Sequence, residues 1–340
     1  MYDTISDSRR YYGLNGLRMI ACLGIVIMHV KANSYISINP IIDNIIKEFT
    51  NFVFLFMMLS PFSMCCGYYK KIKNNEINFE EFYKKRFKKI LPFFIFLSII
   101  DVLFNYSLAS VIEAFANSTL MFGFLQKKIE VLGVGWFLGL IFIFYMIFPF
   151  FVFLFSNRTR AWFVTVIALI MNVISINYFN VERTNMFYSF IYFCIGGLLY
   201  LYKNEIIKVV NKHRIISLFS VLIAIILYFN IPKNESLLVI RIIPLCSVLI
   251  SYSISVNSRL LDNKITKFIG EISLEIYLVH MVILRGIEKV HLTHICGNNY
   301  LSYILCCVLV MCGAIIFAII FRNLYKKIKE QVLENENINC

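Results

Sequence analysis

Long apolar runs separated by short polar segments dominate the pattern of positions along this chain. A helix needs about 20 residues to cross the ~30 Å hydrocarbon core of a bilayer, and most of these runs have that length. The pattern therefore predicts an all-α, polytopic integral membrane bundle of about ten transmembrane helices. The predicted spans are 12–32, 49–68, 90–108, 136–155, 161–178, 187–202, 215–230, 237–256, 268–288 and 300–321.

Composition supports the membrane prediction. The chain has 340 residues, of which 59% are hydrophobic, and a mean hydropathy of +0.74. Soluble domains are roughly 45–50% apolar. The spans and their connections use most of the chain, so we expect one transmembrane domain over 12–322. A cytoplasmic segment is expected before it (1–11) and a cytoplasmic tail after it (323–340).

The distribution of positive charge predicts the orientation. With the N-terminus inside, 23 of the 33 lysines and arginines lie in inner segments and 6 in outer ones. Because cytoplasmic loops are enriched in Lys and Arg, both termini are predicted to be cytoplasmic, in a multi-pass protein of the cell membrane. The net charge of +13 lies in these loops, where it meets membrane lipids, and we predict no nucleic-acid partner.

The outer segments are short, so chemistry is expected inside the bundle or at its faces. The longest, 109–135, contains an apolar stretch from Val111 to Leu125 that is expected to lie in the interface or to re-enter the membrane. No metal site is predicted. The pattern His291-x-x-His294-x-Cys296 lies in a short loop without an acidic partner.

Three further charges lie within or at the ends of spans. Asp101 is expected to be buried and paired, because an isolated charge in a span is costly. For Arg241 and Arg285 two interpretations stand: anchoring near a membrane face, or pairing with an acid.

Two chemically active residues share the first span. Arg18 and His29 are eleven residues apart, which places them on one helix face about 16 Å apart along the axis. Either both face a cavity, or Arg18 snorkels to the inner headgroups while His29 caps the outer end. The two interpretations are equally consistent with this segment alone.

The spacing Arg-x10-His resembles the first-helix signature of the membrane acyltransferase family 3, and four further segments follow in that family's order. The basic stretch from Phe82 to Pro92 resembles the opening of the family's third helix. The others are Gly135-Trp136-Phe137-Leu138 followed by Tyr145 and Pro149; Phe190-x-x-Phe193-x-x-Gly196; and Ile272-Ser273-Leu274-Glu275-Ile276-Tyr277-Leu278-Val279-His280.

This chain also departs from the family pattern. Pro61 stands where the family often has glycine late in the second helix, which is expected to reshape that helix. Lys89 stands where the family often has arginine, and a lysine binds phosphate as a point charge and not as a fork. An attached extracytoplasmic hydrolase-like domain, present in some relatives, is not found in this sequence.

The resemblance implies transfer of an acyl group, most readily acetyl, from cytoplasmic acyl-CoA to a hydroxyl of a cell-surface or lipid-linked glycan. His29 would act as general base or as acyl carrier, assisted by Arg18. Arg18, Arg86 and Lys89 would bind the phosphates of the donor. The residues implied in substrate binding are Trp136, Tyr145, Ser273, Tyr277 and His280.

Other interpretations of these residues remain open. The basic stretch is also typical of an inner loop, and Trp136 of an interfacial belt. Ser273, Tyr277 and His280 follow the spacing i, i+4, i+7, so they share a helix face that would equally form a hydrogen-bonded seam between helices. The competing function is a transporter or flippase for a glycan precursor, although no inverted repeat supports it.

Overall fold

The computed structural model describes residues 11, 13–104, 106–120, 133–293 and 296–338, with side chains up to 331. All regular secondary structure in these ranges is helical. The α-helices are α1 (Gly13–Asn33), α2 (Pro40–Glu48), α3 (Phe52–Met64), α4 (Lys70–Lys73), α5 (Phe79–Phe104), α6 (Leu108–Ser118), α7 (Trp136–Leu154), α8 (Arg158–Asn177), α9 (Met186–Leu201), α10 (Lys203–Lys212), α11 (Arg214–Asn230), α12 (Leu238–Ser255), α13 (Lys264–Glu271), α14 (Ser273–Lys289) and α15 (Asn299–Ile338).

Six helical segments in the described residues are long and apolar enough to cross a membrane: α1, the continuous run Pro40–Lys73, α7, α8, Glu235–Ser255 and Asn299–Gln331. A seventh results if α9 and α10, which are bent by 69°, count as one span. The other predicted spans coincide with α5, α11 and α14. The last two have 17 residues each, and α5 begins with a charged stretch that ends at Lys89 and carries Asp101 in its apolar part.

Helix α1 lies at the centre of the bundle and contacts α3, α12, α13, α14 and α15. Helices α8, α11 and α15, in contrast, expose large apolar side chains on their outer faces, among them Phe163, Ile216 and Ile304. Exposed apolar faces of this extent are expected where the surroundings are lipid and not water. The position of α1 puts Arg18 and His29 inside the protein.

Contacts between connecting segments follow the predicted alternation. On the predicted outer side, Lys233 forms an ion pair with Glu48 at 2.8 Å. On the predicted inner side, Lys73 Nζ donates to the carbonyl of Ser156 at 3.1 Å. Segments that the charge pattern assigns to one side thus meet at one end of the bundle.

The predicted start of the third span is wrong. Pro92 was expected in the first turn of a helix, but α5 begins at Phe79 and Pro92 lies in its interior. A proline within a helix leaves the carbonyl four residues earlier, here that of Lys88, without its helical partner. Lys88 is exposed, so solvent can satisfy this carbonyl and the helix continues through the basic stretch.

The described part of the apolar stretch beginning at Val111 re-enters the bundle. Helix α6 packs on α5, and Leu120, just beyond α6, is buried beside Arg86 and Tyr145. Because Arg86 belongs to the first third of α5, the chain has returned along most of that helix by Leu120. Residues 121–125 of the stretch lie outside the described residues.

The glycine of the Phe-x-x-Phe-x-x-Gly segment, Gly196, allows two helices to approach closely. A Cβ on Gly196 of α9 would lie 2.2 Å from the carbonyl oxygen of Met58 and 2.5 Å from Cγ of Pro61, both on α3. Pro61, the departure from the family pattern, thus packs directly on this glycine. The contact fixes α3 against α9 at the depth of the cavity described below.

We expect Gly196→Ala to destabilise the protein by about 1–3 kcal/mol, since the backbone oxygen of Met58 cannot yield without moving α3. The readout is the temperature at which detergent-solubilised protein loses its monodisperse size-exclusion peak. Gly286→Ala is the matched control, because a Cβ there meets nothing within 4 Å. Equal stability of the two variants would contradict the close approach.

Candidate active site

A cavity of about 230 Å³ opens at the end of the bundle where α1, α5 and α14 begin. All three predicted donor-binding cations line it: Arg18 from α1, and Arg86 and Lys89 from α5. The last two are three residues apart and therefore share a face of α5. The charge pattern predicts that this end of the bundle is cytoplasmic.

Arg18 is held by neutral partners. Its Nη1 donates to Oδ1 of Asn15 at 2.7 Å, and its Nη2 donates to the hydroxyl oxygen of Ser63 at 2.5 Å. Neither partner neutralises the guanidinium. The two hydrogen bonds hold Arg18 at the cavity wall, within the bundle.

Arg86 lies within a group of aromatic rings. Its guanidinium carbon is 4.5 Å from the ring centroid of Tyr68, 5.5 Å from that of Tyr145 and 5.8 Å from that of Phe82. Its Nε is buried and has no hydrogen-bond acceptor among the described residues. Such an arrangement holds the side chain in place while leaving donors free.

Acidic residues offset little of this charge. Glu271 is the carboxylate that lines the cavity among its described residues. Glu275, one turn further along the chain, is already paired with Arg322 at 2.5 Å. Lys89 has no hydrogen bond or ion pair within the described ranges. The cavity is thus cationic, which favours an anionic ligand.

Three aromatic side chains close the cavity at the end that lies deeper in the bundle. The ring centroid of Tyr277 is 5.4 Å from that of Phe137 and 6.4 Å from that of Phe56. All three rings line the cavity, and Tyr277 donates from its hydroxyl to the carbonyl of Val134 at 3.1 Å. On the far side of this wall, the Tyr277 ring lies 5.9 Å from that of His280.

The two span histidines contact each other beyond this wall. Nδ1 of His29 on α1 lies 2.9 Å from Nε2 of His280 on α14, within hydrogen-bonding distance. His280 is fully buried, whereas His29 keeps part of its surface accessible. His280 was implied in substrate binding, and the structure places it directly against the implied catalytic base.

A helix break positions the remaining residues of the last motif. The predicted span 268–288 is divided at Ile272 into α13 and α14. Ser273 begins α14, where its hydroxyl donates to the carbonyl of Gly270 and its own carbonyl accepts from the Cys22 thiol at 3.4 Å. Ser273 and Tyr277 consequently line the cationic cavity, together with Tyr145, and His280 lies above it.

Trp136 lies apart from the cationic cavity and contacts a residue that sequence reasoning missed. The guanidinium carbon of Arg183 is 5.6 Å from the Trp136 ring centroid, and its Nη1 donates to the hydroxyl of Thr50 at 3.0 Å. Arg183 is also close enough to act electrostatically on His29 and Tyr277. Its one signal in the sequence is that it is the sole Lys or Arg in the outer segment 179–186.

The three further span charges singled out in the sequence, Asp101, Arg241 and Arg285, are paired. Asp101 is buried and contacts Arg285 at 3.3 Å, as predicted. Arg241 pairs with Glu48 at 2.7 Å. Of the two interpretations of Arg241 and Arg285, the structure therefore supports pairing with an acid for both. The histidine pattern at 291–296 includes His294, which lies outside the described residues.

An all-helical bundle with apolar outer faces, a cationic cavity at one end and a histidine pair inside defines a membrane protein whose site lies between its helices. Residues 11–320 match the family model described as an acyltransferase domain, and the chain belongs to the membrane acyltransferase family 3. It is therefore a multi-pass membrane acyltransferase. No curated protein and no solved structure matches the chain.

Proposed function

We propose that this protein transfers an acyl group, most readily acetyl, from cytoplasmic acyl-CoA to a hydroxyl of a cell-surface or lipid-linked glycan. The observation that carries the proposal is the convergence of Arg18, Arg86 and Lys89 on one cavity. These residues come from two helices that are distant in sequence. Three cations facing one space repel each other unless an anion lies between them.

The phosphates of acyl-CoA fit this requirement. Arg86 and Arg18 offer fixed N–H donors and Lys89 a mobile one, which suits a ligand with several phosphate groups. The long, flexible thioester arm would extend from the phosphates along Tyr145 and Ser273 and pass between the rings of the aromatic wall, which brings the thioester to His29. We accordingly propose that the residues implied in substrate binding that line this cavity bind the donor and not the acceptor: Tyr145, Ser273 and Tyr277.

The chemical step takes place at His29. His29 accepts the proton of the sugar hydroxyl as the hydroxyl oxygen forms a bond to the thioester carbonyl carbon. The carbon–sulfur bond then breaks, and the proton on His29 passes to the CoA thiolate. Arg183 and Trp136 lie toward the opposite end of the bundle, where the acceptor is expected.

The orientation required is that of a ten-span protein with both termini in the cytoplasm. The excess of Lys and Arg in inner segments supports it, as do the contacts Lys73–Ser156 and Lys233–Glu48 at opposite ends of the bundle. This orientation brings the cationic cavity to the side where acyl-CoA is made. The membrane assigned is the plasma membrane.

Membrane vesicles test the donor and its side together. Inside-out vesicles given [¹⁴C]acetyl-CoA should label their glycans, whereas sealed right-side-out vesicles should not, because acetyl-CoA does not cross the bilayer. Permeabilising the right-side-out vesicles should restore labelling. Equal labelling of both sealed preparations would contradict a cytoplasmic donor site, and no labelling of any preparation would contradict the acetyl donor.

A further inference from the structure

The hydrogen bonds around the two histidines determine where their protons lie. Nδ1 of His280 is 2.6 Å from the carbonyl oxygen of Tyr277, three residues earlier in α14. A carbonyl oxygen accepts and never donates, so Nδ1 of His280 carries the hydrogen. In a neutral imidazole the other nitrogen, Nε2, then has a free lone pair.

That lone pair points at His29. Nε2 of His280 lies 2.9 Å from Nδ1 of His29, so Nδ1 of His29 must be the donor. A positive charge on His280 would reverse this bond. However, His280 is 0% exposed and contacts no carboxylate in the described residues, and a buried unpaired charge is costly. With Nδ1 protonated, neutral His29 has its free lone pair on Nε2.

We propose that His280 is a positioning residue that holds His29 in the tautomer with a bare Nε2, the atom that takes the proton from the acceptor hydroxyl. The inference rests on the proposed function for the role of Nε2, but the tautomer itself does not depend on it. It also replaces a direct contact between His280 and the substrate, which its full burial opposes.

The arrangement has two chemical consequences. An unrestrained imidazole rotates and exchanges between two tautomers, so only a fraction of molecules would present a base to the hydroxyl. In addition, once His29 is protonated, its bond to His280 becomes charge-assisted and stronger. The chain of hydrogen bonds ends at the Tyr277 carbonyl, which cannot take up a proton, so the proton stays on His29 for the departing thiolate.

Nitrogen NMR reads the tautomer directly. The chain has five histidines, so protein labelled with ¹⁵N in the imidazole rings and held in nanodiscs gives at most five ring patterns. The spectrum of His29→Gln assigns the His29 signals. In the wild type we expect His29 to show a protonated Nδ1 and a bare Nε2 at neutral pH.

Two substitutions of His280 separate positioning from packing. His280→Leu fills similar space but accepts no hydrogen bond, so the His29 tautomer should become mixed and the transfer rate should fall roughly 10- to 100-fold. The KM for acetyl-CoA should stay unchanged, because the donor cavity is intact. His280→Gln can still accept from Nδ1 of His29 through its carbonyl oxygen, and it should restore both the tautomer and most of the rate.

The outcomes distinguish this inference from the proposed function. A protonated Nε2 on wild-type His29, or a tautomer and rate unchanged in His280→Leu, would overturn the positioning role even in an active enzyme. Failure of His280→Gln to recover either property would overturn it as well. The expected spectrum in a protein that transfers no acyl group would overturn the transferase role of His29 and leave the tautomer assignment standing.

Discussion

His29→Gln should lower the rate of acyl transfer by about 10²- to 10⁴-fold, the usual contribution of a general base. Glutamine keeps the polarity and approximate size of the side chain, but it cannot take the proton of the acceptor hydroxyl. The measurement is the initial rate of acetyl transfer in inside-out vesicles matched for protein content. Binding of acetyl-CoA should remain at the wild-type level, since His29 lies beyond the aromatic wall of the donor cavity.

His213→Gln provides the control. His213 lies between α10 and α11 and is exposed, so the same change of side chain should leave transfer unaffected. If His29→Gln retains more than a few per cent of the wild-type rate, the proton is taken by another group. His29 would then be a polar residue of the helix interface, hydrogen-bonded to His280 and without a role in the reaction.

Arg86→Ala should raise the KM for acetyl-CoA at least tenfold. A hydrogen bond to a charged group contributes roughly 1.5–3 kcal/mol, and about 1.4 kcal/mol corresponds to a factor of ten. Because Arg86 contacts only the donor in the proposed mechanism, kcat at saturating acetyl-CoA should change little. The measurement is the dependence of the initial rate on acetyl-CoA concentration.

Lys88→Ala is the matched control for charge. Lys88 belongs to the same basic stretch and is exposed, but it does not line the cavity. Removing it lowers the net charge by the same amount and should leave the KM close to the wild-type value. Wild-type donor kinetics in Arg86→Ala would contradict the binding of the donor phosphates in this cavity. An equal rise of the KM in both variants would contradict it too, because it would attribute the effect to general electrostatics.

The helices themselves were largely predictable, because long apolar runs dictate them. The errors in the predicted helix boundaries lie where the environment of a residue in the folded protein overrides a rule about local sequence. Pro92 was expected in the first turn of a span beginning at residue 90, but the carbonyl that it leaves without a partner belongs to exposed Lys88, so the helix that begins at Phe79 can continue through Pro92. The span 268–288 was predicted as one helix, although a break at Ile272 gives α14 a start of its own at Ser273.

For the site, the sequence predicted only what the spacing of residues along a single helix determines. Periodicity shows which residues share a face of one helix, as with Ser273, Tyr277 and His280, but not which helix that face meets. The contact between His280 and His29, 251 residues apart, is therefore a result of the tertiary packing. Arg183 was missed for the same reason, because a lone arginine in a short loop has no periodic pattern to reveal its approach to Trp136.

The most direct test is the mass of the surface glycans from three strains: one lacking the protein, one complemented with the wild type, and one complemented with His29→Gln. Acyl transfer predicts that the glycans are present in all three strains and carry the additional mass of the acyl groups only with the wild type. Loss of the glycan itself from the strain without the protein would contradict a transferase and indicate a transporter of a glycan precursor. Acyl mass present in all three strains would also contradict the proposed reaction.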